Sequence, residues 1–156
     1  LLQMRRHFRA YTEETGATVT TKLITEVVES ENTELVVKTG VRDFLLSNRF
    51  ISKIFAQAAL NPEVMFVYDQ LFSAEGSEVY LKSILLYCDP EEAGEVTFGD
   101  CMLAAQARQE VCFGVKLIAD EAHADRNFGV QLIPKRGERF RFEAGDCLIT
   151  LAEDES

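Results

Sequence analysis

The sequence predicts an α/β chain that ends in a smaller α+β lobe, and three patterns in its 156 residues favour this fold class. Two short runs rich in β-branched residues flank a helical stretch between residues 22 and 46. Apolar residues then recur at intervals of three and four between residues 50 and 72, which is the period of a helix. After Gly76 the apolar runs become short and are separated by turn-forming residues, as in a lobe of small strands.

The first part of the chain predicts one strand–helix–strand unit. A helix is expected over residues 1–14, and it ends near Gly16, a residue suited to a helix C-terminus. Strands are expected at residues 22–28 and 41–46, with a short helix through Lys38 between them. Two strands joined in this way pair in parallel through a right-handed crossover. The unit therefore predicts the second half of a Rossmann-like parallel sheet.

The predicted sheet raises the question of a ligand. No GxGxxG turn, which would hold the phosphates of a dinucleotide, occurs in the sequence. A nucleotide of the NAD or ATP/ADP type is therefore expected only if the N-terminal half of such a sheet is also present. Glu26 lies near the carboxyl end of the first strand, where ligands of open α/β sheets bind, so it is a candidate ligand-binding residue. The alternative is that Glu26 is a solvated strand end.

Two apolar helices are expected after this unit, because Asn61 and Pro62 end one helix and begin the next. The second helix, over residues 63–73, carries more apolar side chains than one core-facing stripe can bury. We therefore expect another domain or another chain to cover part of this surface, and a two-fold contact with a second copy would use the same patch twice. The alternative is that some of these residues fill the junction between the lobes. The predicted interface residues are Phe50, Ile54, Phe55, Met65, Phe66, Tyr68 and Phe72.

The C-terminal lobe is predicted from capping and strand signals. Thr97 and Asp100 form a capping box at the start of a helix whose inward side is expected to carry Met102, Leu103 and Ala107. The expected strands are residues 79–81, 84–87, 111–118, 129–133, 139–142 and 147–151, with Val111, Phe113, Val115 and Leu117 on one face of the third. The predicted divisions are a partial Rossmann-like lobe (1–47), a crossover helix pair that forms a hinge (48–76) and the C-terminal lobe (77–156).

Composition limits the classes of partner. A net charge of -10 argues against nucleic acid and against an anionic membrane surface, since both require a basic face. No run of about 18 apolar residues occurs, so direct membrane insertion by this segment is not expected. The four cysteines form no CxxC pair, which predicts reduced core thiols in a cytosolic compartment rather than a zinc site.

The residues that could carry chemistry favour cation binding over catalysis. No nucleophile, acid or base stands in a recognisable catalytic motif, so the chain is not expected to be an enzyme. Calcium prefers several carboxylate and carbonyl oxygens on a flexible turn. Glu75 and Glu78 flank Gly76 in such a turn, and Asp43 lies at the strand before the helix pair. These three residues are the predicted calcium ligands, and the alternative is that they are solvated.

The order of several motifs resembles a known family. Residues 40–47, 61–69 and 75–81 resemble the hinge of an RCK domain, the regulatory module of potassium channels and potassium-uptake systems, in particular that of the Castor/Pollux-type ion channels. Residues 97–99, 113–118 and 144–146 resemble, in the same order, elements of the RCK C-terminal lobe. The resemblance implies that the first hinge helix crosses to a partner domain. It also implies that the acidic hinge residues match those of calcium-gated members, and that an acidic residue at the position of Glu26 faces the ligand cleft.

The function that the resemblance implies is a cytosolic, ligand-sensing gating domain of a cation channel, potassium or calcium-related. Its expected partners are copies of itself, in a dimer or larger ring, and the pore domain of a parent channel. The domain is expected at the cytoplasmic face of a membrane. One alternative is a peripheral regulatory nucleotide-binding subunit of a potassium-uptake transporter. A further alternative is a fragment of an NAD-dependent oxidoreductase, which would need a catalytic Tyr–Lys, His or Cys in the cleft of the sheet.

Overall fold

The computed structural model describes residues 2–19, 24–27, 44–73 and 75–154. The chain divides into two compact units, Leu1–Val64 and Met65–Ser156. The boundary between them lies inside the segment predicted as a hinge, residues 48–76. The three-part division of the chain stays a prediction.

The first unit contains helices α1 (Leu2–Thr15) and α2 (Ser47–Leu60) and a parallel pair of strands, β1 (Thr25–Val27) and β2 (Phe44–Leu46). The predicted end of α1 is confirmed, because Gly16 has a φ of 65° and its N–H donates to Thr12 O at 2.9 Å. The helix predicted between the two strands lies outside the described residues.

The break between the two apolar helices is confirmed at Asn61. Its side-chain Oδ1 accepts the N–H of Glu63 at 3.2 Å, which satisfies a backbone donor at the start of the next helix. That helix is α3 (Val64–Leu71), one residue shorter at its start than predicted. Every residue of α3 is described, and none of them is buried.

The second unit is built around a four-stranded antiparallel sheet in the order β3-β8-β5-β6, from strands β3 (Glu78–Ser83), β5 (Val111–Lys116), β6 (Val130–Leu132) and β8 (Cys147–Ala152). A second, two-stranded sheet pairs β4 (Glu95–Thr97) with β7 (Arg139–Arg141). The prediction of a mixed α/β fold is confirmed, but the largest sheet of the described residues is antiparallel rather than parallel. Alternating burial along β3 agrees with this, since antiparallel sheets commonly cover one face only.

Helix α5 (Phe98–Ala107) supplies the core that covers this sheet. Its predicted capping box is confirmed, since Thr97 Oγ1 accepts the Asp100 N–H and Asp100 Oδ2 accepts the Thr97 N–H. The hydrogen bonds from the Thr97 hydroxyl and backbone lower the pKa of Asp100. A short helix, α4 (Pro90–Ala93), precedes β4.

The predicted inward side of α5 was wrong. Met102 and Leu103 are exposed, whereas Phe98, Cys101 and Ala105 are buried. Those three residues also follow helical spacing, and their side is selected by tertiary contacts. The N–H of Phe98 donates to Glu138 O at 2.8 Å, and this bond ties the start of the helix to the segment that enters β7.

The predicted alternation along β5 was also wrong, because the strand contains a β-bulge. Cys112 is opposite Thr150 and Gly114 is opposite Ile149, so Phe113 is the extra residue. The extra residue shifts the alternation of the strand by one position, and therefore Cys112 and Val115 are buried while Val111 is exposed.

Residues 84–87 do not form the expected strand, because Ile84–Leu86 is a 3-10 helix capped by Ser83. Two further 3-10 segments, Ile118–Asp120 and Ala124–Gly129, lie between β5 and β6.

Replacing Gly129 by Ala should destabilise the second unit. Gly129 has a φ of 80°, and a Cβ built there would lie 2.1 Å from Leu117 O. We expect the free energy of unfolding to fall by more than about 1 kcal/mol in chemical denaturation. The matched control is Gly137→Ala, where a Cβ meets no atom within 4 Å, and it should change stability little. Equal effects of the two substitutions would contradict the close approach of Gly129 to Leu117.

Candidate functional site

The inner face of β3 carries polar side chains where a core strand usually carries apolar ones. Glu78, Tyr80 and Lys82 alternate with the exposed residues Val79 and Leu81, so the polar residues lie on the covered face. Glu78 and Tyr80 are half-buried, and Lys82 at the end of the row is buried. A buried lysine is costly unless a counter-charge matches it. The burial of Lys82 therefore requires a counter-charge close to its ammonium group.

Glu110, which directly precedes β5, is the counter-charge of Lys82. The Lys82 ammonium donates to Glu110 Oε1 at 3.0 Å, and the two side chains are only 1% and 4% exposed. A pair this deeply buried stabilises the fold only if the remaining polar atoms are also hydrogen-bonded, because both charges have lost their water.

Two further donors meet that requirement at the Glu110 carboxylate. Arg108 Nε donates to Oε1 at 3.1 Å, and the Tyr87 hydroxyl donates to Oε2. Burial of the carboxyl acts to raise the pKa of Glu110, but the hydrogen bonds from Tyr87, Lys82 and Arg108 outweigh it, and the pKa is lowered. Burial and the bond to Glu110 raise the pKa of Tyr87, so its hydroxyl remains a donor at neutral pH. Glu110 is therefore held ionised by three donors.

Aromatic rings hold both cations of this cluster in place. Lys82 Nζ lies 5.6 Å from the centre of the Tyr80 ring, and Arg108 Cζ lies 5.6 Å from the centre of the Tyr87 ring. Such cation–π contacts are strongest where the cation has lost water. The Tyr80 hydroxyl donates to Glu78 Oε2 at 3.3 Å, so a polar row continues from the cluster to the start of β3.

An open cavity of about 450 Å³ adjoins the cluster within the second unit. Its wall combines the cluster with polar residues from the start of β3, the end of α5 and the end of β8. The lining residues are Ser77, Lys82, Arg108, Gln109, Glu110, Ala152, Glu153 and Asp154. Most of the exposed wall is polar, so the cavity suits a charged or strongly polar ligand rather than an apolar one.

The cysteines offer no reactive nucleophile among the described residues. All four are free thiols, and burial raises the pKa of each one. The effect is large at Cys101, where burial and the neighbouring Cys112 raise the pKa to about 12. Because the thiolate is the nucleophilic form, thiols with raised pKa values are unreactive near neutral pH.

Several known ion channels are similar to this chain, although no protein-family model matches it. Ion channel POLLUX from Lotus japonicus is 32% identical over 88 residues, which are 56% of this chain and 9% of the relative. Ion channel CASTOR from Lotus japonicus is 29% identical over 90 residues, 58% of this chain and 10% of the relative. Probable ion channel CASTOR from Oryza sativa subsp. japonica is 26% identical over 133 residues, 85% of this chain and 14% of the relative.

This chain is a relative of the Castor/Pollux-type ion channels. The resemblance expected from the order of the sequence motifs is thereby confirmed. The relatives are named as ion channels rather than as enzymes. The matched stretch spans about a tenth of the length of these curated relatives.

The predicted calcium ligands Glu75, Glu78 and Asp43 lie only partly within the described residues. Glu75 is exposed, and Glu78 is half-buried and accepts the Tyr80 hydroxyl. Asp43 lies outside the described residues, so the three cannot be compared. Within the described part of the chain, no group of three or more His, Cys, Asp or Glu side chains is arranged to hold a metal ion. The calcium site stays a prediction, as does ligand binding by Glu26, which is exposed opposite Leu45 in the parallel pair.

The predicted interface residues are mostly exposed. Phe55 and Phe66 are 70% and 72% exposed, and Phe50, Met65 and Phe72 are also exposed. Ile54 and Tyr68 are half-buried. None of the helices in the described part of the chain is both long enough and apolar enough to cross a bilayer.

Sequence reasoning missed the Lys82 cluster. The one signal in the sequence is the alternation of Glu78, Tyr80 and Lys82 with apolar residues, which places a lysine on the same face as an aromatic ring. Nothing in the sequence links Lys82 to Glu110, because 28 residues separate them and the antiparallel sheet brings them together.

Replacing Glu110 by Gln should lower stability in a pH-dependent way. At neutral pH the substitution removes the buried carboxylate that Lys82 and Arg108 share, so we expect the free energy of unfolding to fall by about 3 kcal/mol. The folded-state pKa of Glu110 lies below its unfolded value of about 4.3, so the stability that its charge provides is present above that pH. That contribution is lost as the pH falls through the folded-state pKa.

The free energies of unfolding of the natural chain and of the Glu110→Gln variant should therefore become more similar below about pH 4. Urea denaturation of both chains at several pH values measures this difference. The exposed Glu143→Gln substitution is the matched control, and it should change stability by less than about 0.5 kcal/mol. If the difference in unfolding free energy is the same at pH 7 and below about pH 4, the charge of Glu110 does not stabilise the fold.

Proposed function

We propose that this chain is an RCK-type, ligand-sensing gating domain of a cation channel, potassium or calcium-related, at the cytoplasmic face of a membrane. Its similarity to the ion channels named CASTOR and POLLUX carries this proposal. In the proposed mechanism, a ligand binds one arrangement of the two lobes more tightly than the other. Binding therefore shifts the population of the two arrangements, and the pore domain of the parent channel responds.

The apolar hinge supports an oligomeric assembly. A monomeric protein rarely leaves several large apolar side chains of neighbouring helices exposed, and such surfaces are typical of protein interfaces. Phe55 on α2 and Phe66 on α3 have this property, as does Leu60, the last residue of α2. We propose that a second copy covers these residues in a homodimer or a larger ring through a two-fold contact.

The proposal includes two ligands that the sequence suggested. Calcium would bind between Glu75, Glu78 and Asp43, and a nucleotide would bind only in a protein that also contains the N-terminal half of the Rossmann-like sheet. The parallel pair β1–β2 supports the presence of such a sheet. The names of the relatives favour a channel domain over a potassium-transporter subunit or an oxidoreductase fragment.

The chain should self-associate through the hinge. We expect light scattering after size exclusion to give a dimer or larger particle, and Phe66→Ser to raise its dissociation constant by about tenfold or more, since the substitution removes a large apolar contact. The matched control is Leu103→Ser, which changes an exposed apolar residue on α5, outside the hinge. A natural chain that stays monomeric at high concentration would overturn the proposed assembly. Equal weakening by both substitutions would overturn the role of the hinge.

Calcium binding should depend on the acidic turn after α3. Isothermal titration should show saturable calcium binding to the natural chain and its loss in a Glu75→Gln/Glu78→Gln double variant, because the carboxylates supply the charged ligands. The matched control is a Glu91→Gln/Glu92→Gln double variant, which removes two exposed carboxylates of α4. If calcium does not bind, or if both variants lose affinity equally, the proposed ligand set is wrong.

A further inference from the structure

The face of the antiparallel sheet that points away from the core is apolar. Directly opposed residues of neighbouring strands lie on the same face, so the register of the strands gives the rows of this outer sheet face. The first two rows are Val79, Leu151 and Val111, and then Leu81, Ile149, Gly114 and Leu132. Four side chains of these rows are between 52% and 60% exposed, namely Val79, Leu81, Val111 and Leu132. The sheet therefore presents aliphatic side chains from three of its strands to solvent.

The polarity of β3 is the reverse of that of an ordinary surface strand. An antiparallel sheet with one solvated face usually places its apolar residues on the core side and its polar residues outside. In β3 the residues Glu78, Tyr80 and Lys82 lie on the covered side, and Val79 and Leu81 lie on the solvent side. The outer side of this strand therefore has the composition of a surface that is covered in the assembled protein.

Gly114 makes the centre of the outer sheet face flat. A Cβ built at Gly114 would lie 3.0 Å from Leu132 Cδ2 and 3.1 Å from Ile149 Cδ1, so these two side chains lie over the glycine. Ile149 is buried as a consequence, although it belongs to the outer rows. A closely packed, flat apolar surface suits another flat surface, such as a second sheet.

The outer sheet face differs in charge from the rest of the chain. The chain has 26 acidic against 16 basic residues, so two copies repel one another electrostatically. All residues of the four strands are described, and their outer rows contain no carboxylate. The third row is Ser83, Cys147, Lys116 and Val130, and its one charged residue is Lys116 at the end of β5. Two such faces therefore meet without opposing carboxylates, whereas a single lysine does not provide the basic face that an anionic membrane requires.

The area of the outer sheet face indicates which partner can use it. Strands about 4.8 Å apart with a rise of about 3.4 Å per residue give roughly 350 Å² on each copy, or roughly 700 Å² for two copies. Stable complexes bury about 1,200–2,000 Å², so an independent partner would bind this face weakly. A second copy that is already linked through the hinge has a high effective concentration at the face, which favours even a small contact.

We propose that the outer sheet face packs against the same face of a second copy, so that the two sheets form a two-fold sandwich. Packed sheets of this kind lie about 10 Å apart, with their strand directions within about 30° of each other. The contact is separate from the hinge contact, and it rests on the proposed function because the hinge supplies the link that raises the local concentration. The inverted polarity of β3, the flat centre at Gly114 and the carboxylate-free rows carry this proposal.

The first test places like charges on the face. A Leu81→Glu/Val111→Glu double variant opposes carboxylates across the two-fold contact, and sedimentation velocity should show a self-association constant lower by about tenfold or more. The matched control is a Met102→Glu/Leu103→Glu double variant, which adds the same charge at two exposed apolar residues of α5, the helix that covers the other face of the sheet. The control should associate as the natural chain does, and an equal loss in the control would overturn the face as the cause.

The second test identifies the occupant of the face. A Leu81→Lys/Val111→Lys double variant should also associate weakly by itself, but a mixture with the double glutamate variant should form a heterodimer. We expect that heterodimer to bind at least about tenfold more tightly than either variant binds itself, most clearly at low ionic strength. All four substitutions are at exposed positions. If a double variant does not fold by circular dichroism, Leu132→Glu and Leu132→Lys replace it in both tests.

The other outcomes separate this contact from the hinge. A mixture that associates no better than its components overturns the face-to-face contact. Recovery of binding between the double lysine variant and Phe66→Glu would show that a hinge helix covers the face, and this also overturns it. If the face substitutions leave self-association of the natural chain unchanged while Phe66→Ser weakens it, the hinge assembly stands and the sandwich is wrong. The converse pattern keeps the sandwich and overturns the hinge assembly, and a natural chain that stays monomeric at high concentration overturns both.

Discussion

The buried Glu110 carboxylate is the constraint on which the second unit depends. It joins Lys82 on β3 and Tyr87 after the 3-10 helix to Arg108 at the end of α5. A carboxylate removed from water is tolerated only when such donors surround it, so the three elements must meet at one point. The sheet order β3-β8-β5-β6 satisfies this requirement, because β8 lies between the strand that carries Lys82 and the strand that follows Glu110.

The apolar core and the charged cluster occupy the same face of that sheet. Phe98, Cys101 and Ala105 of α5 cover Ile84, Val115 and Leu148, and the hydrophobic effect drives this contact. The cluster lies at the edge of the core, where Lys82 is buried and Arg108 is still partly exposed. A charged group placed there remains accessible to a ligand while its position is fixed by packed neighbours.

The hinge surface and the cavity differ in chemistry. The hinge helices expose large apolar side chains, which favour contact with another protein. The cavity exposes charged and polar groups, which favour a small hydrated ligand. Within the second unit, the row Glu78, Tyr80 and Lys82 runs from the turn after α3 to the cavity floor.

The sequence by itself determined the local structure of this protein. The capping box at Thr97, the break at Asn61 and the end of α1 at Gly16 depend on residues within a few positions of one another, so their signals are complete in the sequence. The order of the motifs likewise carried enough information to suggest the Castor/Pollux-type relatives. The apolar excess of the helices near residues 50–72 was also visible, because periodicity is a local property.

Only the tertiary structure decided which faces were buried and which charges met. The bulge at Phe113 reversed the alternation of β5, and a bulge depends on the partner strand rather than on the bulged sequence alone. Contacts from the segment before β7 selected the buried side of α5, although two sides of the helix carry apolar residues. The Lys82–Glu110 pair arose from strands that come together across 28 residues, and no local pattern encodes such a meeting. Pairing between distant residues is a property of the folded topology, and therefore the charged cavity could be found only there.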